Sequence, residues 1–186
     1  MTESSGRGPA TNPSATSLQR SLRNRTVTRA PLKIISGGQT GVDQGALAAA
    51  LECGATCGGW CPAGRLSEDG VISAIYPVQE LPGSDYIERT LRNVQDSDGT
   101  AIIFSGELEG GTRLTRTFCR DESKPHVLID ASTMSEPDAI EALLDFITSH
   151  RVETLNVAGP RASKWPEAHA RAQALLTALL KKTPTT

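Results

Sequence analysis

The run Lys33-Ile34-Ile35-Ser36-Gly37-Gly38-Gln39-Thr40-Gly41-Val42-Asp43 decides how the rest of this chain is read. An apolar stretch, Leu32 to Ile35, stops at a glycine pair, and beyond Gly41 the positions Val42, Ala46, Leu47, Ala50 and Leu51 fall at helical spacing. The segment therefore predicts a strand, a tight turn and a helix. That geometry suits an anion: glycines let the backbone approach a ligand, the first helical N–H groups lack internal acceptors, and the helix dipole adds partial positive charge. Phosphate is the natural occupant, with Ser36, Gly37, Gly38, Gln39, Thr40 and Gly41 as its cradle. A βα connection with no ligand has the same outline. Asp43, in the first helical turn, is stabilised by the dipole in either case. Its alternative use is a bond to a ligand hydroxyl, a ring N–H or a magnesium ion.

At 186 residues the chain is most simply one domain over residues 32–182, preceded by an extension at 1–31. That extension carries five arginines and one acid, Glu3, and is rich in Ser, Thr, Pro and Gly without periodicity, so it reads as disordered. The remaining 14 basic and 20 acidic residues argue against a nucleic-acid partner. No apolar run reaches membrane-spanning length, and four Cys with no signal peptide point to reduced thiols and a cytoplasmic, soluble protein.

Going along the chain, Thr56 to Cys61 reads as a second strand, followed by a long aperiodic connection to Leu81 that is a candidate binding loop or lid. A helix over Ser84 to Asp96 carries Ile87, Leu91 and Val94 on one stripe and Tyr86, Arg89, Thr90 and Asn93 on another, polar one. Thr100 to Phe104 is a buried strand ending in a second glycine turn, with Gly110, Gly111 and Thr112 placed to meet an oxygen ahead of a helix from about Arg113. His126 to Ile129 is the fourth strand, and Ser135-Glu136-Pro137-Asp138 opens a helix with a capping box and an early proline. Thr154 to Val157 is the fifth. A third turn then offers Arg161 and Ser163, with Asn156 before it, as anion ligands ahead of a helix over Pro166 to Leu180.

This alternation implies βαβ units, hence an α/β fold with a mostly parallel sheet of about five strands flanked by helices. In such a sheet the turns after strands one, three and five share the carboxyl edge, where ligands bind at a switch in strand order. Cys53, Cys57 and Cys61 recur every four residues but lack the CxxC pairing of zinc and cluster sites, and read as structural thiols; no metal site is expected. There is no His cluster, no G-x-S-x-G elbow and no Walker lysine, and no catalytic residue is assigned.

Taken in order, Gly37-Gly38-Gln39-Thr40-Gly41-Val42-Asp43, Gly58-Gly59-Trp60-Cys61-Pro62, Glu68-Asp69-Gly70, Tyr86 with Arg89-Thr90 and Asn93-Val94, Asp96-Ser97-Asp98-Gly99-Thr100, and Gly110-Gly111-Thr112 resemble the molybdenum carrier family. That family lies in the circularly permuted branch of the SLOG superfamily, which is Rossmann-like and lysine-decarboxylase-like, and the match runs from about Leu32 to Leu180. The resemblance implies a Rossmann-like three-layer fold, a homo-oligomer (dimer or tetramer), and binding of molybdenum cofactor, a pterin carrying a phosphate. On this reading the first and second glycine turns hold the phosphate, while Asp43 and the 58–70 segment, with Trp60, Arg65 and Asp69, contact the pterin. Arg89 and Asn93 complete the expected site. Related phosphoribohydrolases follow their Gly-Gly-x-Gly-Thr motif closely with glutamate, whereas here Arg113-Leu114-Thr115-Arg116 follows and no acid appears before Asp121. A non-catalytic carrier is thus the leading expectation. The alternatives are a sensor of a nucleotide-derived ligand and an N-glycosidase taking its acid from Asp43 or Glu109.

Overall fold

A computed structural model describes Met1 and residues 31–183; apart from its two ends, the extension read at 1–31 lies outside the described residues. The elements run β1 (Lys33–Ile35), α1 (Val42–Glu52), β2 (Cys57–Gly58), β3 (Trp60–Cys61), β4 (Leu66–Ser67), β5 (Gly70–Val71), β6 (Gln79–Glu80) and α2 (Tyr86–Gln95). They continue with β7 (Gly99–Phe104), α3 (Gly110–Asp121), β8 (His126–Asp130), α4 (Glu136–Ser149), β9 (Thr154–Ala158) and α5 (Ala168–Lys182).

Five strands form one sheet in the order β2-β1-β9-β7-β8, every neighbouring pair parallel. Residues Ile34, Ile102, Ile103, Leu155 and Val157 are fully or almost fully buried, as a sheet covered on both faces requires. On one face α1 packs on α5 and α5 on α4; on the other α2 packs on α3. The α1–α5 approach depends on small residues. Ala46, Ala49, Ala168 and Ala172 are all buried, and a Cβ on Gly45 would lie 2.4 Å from the His169 carbonyl and 3.0 Å from the Ala172 Cβ. Capping follows the local sequence: the Ser135 hydroxyl accepts from Asp138 N at 3.3 Å, and the Asp85 carboxylate accepts from Ile87 N at 2.8 Å. The expected α/β three-layer architecture is therefore the observed one.

Two elements differ from the sequence reading. The Thr56–Cys61 strand is split at Gly59, with β2 in the main sheet and β3 paired to β6 in a separate two-stranded ribbon. The stretch 62–81 is also more ordered than its lack of periodicity suggests. It contains a 3₁₀ turn at Ala63–Arg65 and the antiparallel β4–β5 hairpin. Arg65 organises it, donating to the carbonyls of Ile72 (3.1 Å), Ser73, Tyr76 and Val78 (2.9 Å each). Ile72, Tyr76 and Val78 then bury against Leu47 and Cys61 as a second small core.

Since β9 lies between β1 and β7, successive connections leave the centre of the sheet in opposite directions. The turns after β1, β7 and β9 converge at that switch.

Candidate functional site

At the carboxyl edge those three turns and α2 enclose one cleft of about 700 Å³. Gly37, Gln39 and Asp43 line it from the first turn, and Tyr86, Ile87, Arg89, Thr90 and Asn93 from α2. Ser105, Glu107, Glu109 and the first turns of α3 line another wall, and the segment from Asn156 to Arg161 with Lys164 and Trp165 completes the enclosure. Its volume falls in the range of about 300–1,000 Å³ typical of small-molecule sites.

The first glycine turn is closed by the protein itself. Gln39 N donates to Asp43 Oδ2 at 3.3 Å, Thr40 N to Gln39 Oε1 at 3.0 Å, and Val42 N to the Pro160 carbonyl at 3.2 Å. Gly41, at φ +77°, is pressed against the third turn, where an added Cβ would lie 2.4 Å from that same carbonyl oxygen. Above Gly37 lies a guanidinium. Arg89 Nη1 pairs with Asp43 Oδ2 at 2.8 Å, and the space a Cβ on Gly37 would take is filled, 1.4 Å from Arg89 Nη1. Burial pushes the Asp43 carboxyl above its ordinary value, against the downward pull of Arg89 and of the Gln39 N–H. Arg89 Nε is buried without an acceptor among the described residues, which leaves a charged group incompletely satisfied at the edge of the cleft.

The second turn is open. Helix α3 begins at Gly110, three residues earlier than the sequence reading, so Gly110, Gly111 and Thr112 are its first turn and present N–H groups that no helical carbonyl accepts. Among the described residues no side chain caps it, and a Cβ on Gly110 or Gly111 would meet nothing within 4 Å. Thr112, 6% exposed, lines the cleft, and its hydroxyl has no partner among the described residues. The approach to this turn is fixed from β8: Asp130 Oδ1 accepts from Gly106 N at 3.0 Å and from the Ser132 hydroxyl at 2.7 Å. The Ser132 hydroxyl, with Gly106 N–H, holds the Asp130 carboxyl below its ordinary value.

The third turn supplies cations, Arg161 and Lys164, to the lining. Glu68, at the tip of the β4–β5 hairpin, bridges it to the first turn. Its carboxylate accepts from the hydroxyls of Thr40 and Ser163, from Ser163 N at 3.0 Å, and pairs with Arg161 Nε at 3.4 Å; its own N–H donates to Gln39 Oε1 at 2.8 Å. Desolvation raises the Glu68 carboxyl, but the Ser163 and Thr40 hydrogen bonds outweigh it and hold the group below its ordinary value.

Of the residues expected from sequence, Gly37, Gln39, Asp43, Arg89, Asn93, Gly110, Gly111, Thr112, Asn156 and Arg161 are brought together on the cleft. The others lie behind or away from it. Ser36 is buried and donates its hydroxyl to the Val157 carbonyl at 2.6 Å, Gly38 faces Ile72, and Thr40 and Gly41 knit the first turn to the third. Trp60 sits outside on α2, its backbone held by the Asn93 amide and its ring by Asp96 and Arg92. Arg65 serves the carbonyls of its own loop, and Asp69 accepts from Ser67 at the hairpin tip. Arg113 and Arg116 do not line the cleft; Leu114 and Thr115 do. Lys164 and Trp165 went unread: they follow directly on the Arg161–Ser163 turn that the sequence does mark, but carry no motif of their own.

Among the described residues no group of three or more His, Cys, Asp or Glu is arranged to hold a metal, and no helix is long and apolar enough to cross a membrane. Cys53, Cys57, Cys61 and Cys119 are free thiols, of which Cys61 and Cys119 are buried.

Comparison with known proteins agrees with this architecture. The model of the circularly permutated YpsA SLOG family matches residues 34–180. A crystal structure from Syntrophus aciditrophicus SB, described as a "putative molybdenum carrier protein", is 46% identical, with a TM-score of 0.80, over 82% of this chain and 96% of that one. No curated protein matches significantly.

Proposed function

The chain belongs to the circularly permutated YpsA SLOG family, and from that premise we propose that it is a molybdenum carrier whose cleft binds a phosphate-bearing molybdopterin-type cofactor as cargo. The observation that carries this reading is the uncapped start of α3, which opens into a cleft also lined by Arg89, Arg161 and Lys164. A phosphate fits there: it accepts from the N–H groups of Gly110, Gly111 and Thr112 and from the Thr112 hydroxyl, and it meets the positive end of the helix dipole. The pterin end fits the opposite wall. Asp43 and Arg89 offer an acceptor and donors, and Tyr86, Ile87 and Trp165 supply apolar surface. The lining contains no Cys or His, so the cargo is gripped through its organic part and its metal stays on its own ligands. Glu107, Glu109 and Asp43 balance the three cations, which makes recognition local and not a matter of bulk charge.

The test is binding of molybdopterin to the purified protein, followed by fluorescence after oxidation. The reading predicts stoichiometric uptake, and no binding at micromolar concentration removes it. Glu109, on the cleft immediately before Gly110, favours a second reading as a nucleotide N-glycosidase. Release of free base from nucleoside monophosphates would establish it, and thermal shifts against a nucleotide panel would reveal a nucleotide sensor. As part of the same proposal the chain assembles as a homo-oligomer in the cytoplasm, with exposed Leu66, Val71 and Ile75 as apolar surface, testable by sedimentation.

A further inference from the structure

Arg161 is shared between two claims. Its Nε faces Glu68 at 3.4 Å, while the residue also lines the cleft, and its side chain is 52% exposed. Glu68 does not line the cleft; it reaches the first and third turns from behind, at the tip of a two-residue hairpin connection. Its carboxylate therefore does two opposed things. It orders the turns through Thr40 and both the N–H and hydroxyl of Ser163, and it places a negative charge on a cation that a ligand needs.

We propose that Glu68 is a positioning residue for the cleft, holding Arg161 and the Gln39–Thr40 turn in place while competing with the bound anion for the Arg161 guanidinium. This rests on the reading of the cleft as a phosphate site. An entering phosphate takes over part of the Arg161 interaction, which weakens the clasp on the hairpin. Ligand occupancy and hairpin order are thereby coupled, and by reciprocity loosening the hairpin alters affinity.

Two substitutions separate the ordering role from the charge. Glu68→Gln keeps an oxygen acceptor for Thr40 and Ser163 but removes the charge facing Arg161. Glu68→Ala removes both. Affinities are read by calorimetry with two probes, inorganic pyrophosphate and the oxidised, phosphate-bearing derivative of molybdopterin. For either probe Glu68→Gln is expected to bind about two- to fivefold more tightly than wild type, the size of an exposed ion pair. Glu68→Ala is expected to bind about tenfold more weakly, because the turns must then be ordered on binding. The gain from Glu68→Gln should vanish in an Arg161→Gln background, a substitution at an exposed side chain that leaves the fold intact.

A Glu68→Gln affinity as low as that of Glu68→Ala, or a gain that persists without Arg161, overturns the proposal. If pyrophosphate shows the expected pattern and the molybdopterin derivative does not bind, the carrier reading falls and the role of Glu68 stands. If the derivative binds wild type and both Glu68 variants equally, the carrier reading stands and this proposal falls. Failure of both probes to bind wild type overturns both.

Discussion

The turns after β1 and β7 look alike in sequence, each an apolar strand running into glycines and a threonine, yet they do different work. In the first, the N–H groups of Gln39, Thr40 and Val42 are taken up by Asp43, by the Gln39 side chain and by Pro160, and Arg89 lies over Gly37. In the second, Gly110, Gly111 and Thr112 start a helix that no side chain among the described residues caps, with open space beside both glycines. Glycine in the first turn serves close packing of protein on protein. In the second it leaves room for something else. A glycine-rich βα turn has amides to offer an anion only where they lack partners from the rest of the chain.

The largest effect that would break this contrast is at Gly37. Gly37→Ala should expel Arg89 and leave Asp43 buried and unpaired, lowering stability in denaturant by about 3–5 kcal/mol. The double variant Asp43→Asn, Arg89→Met should cost less than Arg89→Met alone, because it leaves no uncompensated charge. A neutral Gly37→Ala would mean that the first turn is as open as the second.

Gly111→Asp makes the opposite test. A carboxylate at the start of α3 should raise stability by about 0.3–1 kcal/mol through the helix dipole, while weakening phosphate binding about a hundredfold in calorimetry. Loss of stability there would show that the space is not free.

Acid should affect the first turn in two directions. Glu68 lies below its ordinary value of 4.5, so its clasp contributes stability above that pH and loses it as pH falls through the depressed value. Asp43 lies above its ordinary value of 3.8, so its contribution is present below that pH and lost as pH rises through the raised value. Denaturation midpoints between pH 3 and 7 should therefore fall less steeply in acid for Glu68→Gln than for wild type, and Asp43→Asn should remove the compensating acid-side gain.

The smallest effect is at Thr112. Thr112→Val should change stability by less than about 0.5 kcal/mol, since the hydroxyl has no partner among the described residues, yet lower phosphate affinity about fivefold.

Much of this architecture was legible in the residues. Apolar runs at 32–35, 100–104 and 154–157 followed by turns and helical spacing marked a parallel sheet, and Ser135 to Asp138 marked a helix start to within a residue. The stretch 62–81 was not legible, because Arg65 orders it through four carbonyls and polar backbone bonding leaves no periodic trace. In the site, the polar stripe of α2 and the Gly110-Gly111-Thr112 turn were readable from spacing. The closure of the first turn was not, since the partners of Thr40 and Val42 come from Glu68 and Pro160, far along the chain. Arg65 and Asp69 entered through the family resemblance as pterin contacts, while Glu68, quoted in the same Glu68-Asp69-Gly70 motif, makes the long-range contacts.

The most direct test of the whole account is a backbone amide NMR titration of the full chain with inorganic pyrophosphate. The account predicts that the largest shifts fall on Gly110, Gly111 and Thr112, with much smaller ones at Gly37 to Gly41. Largest shifts on Gly38 to Thr40, or no saturable shift at Gly110 to Thr112, would contradict it.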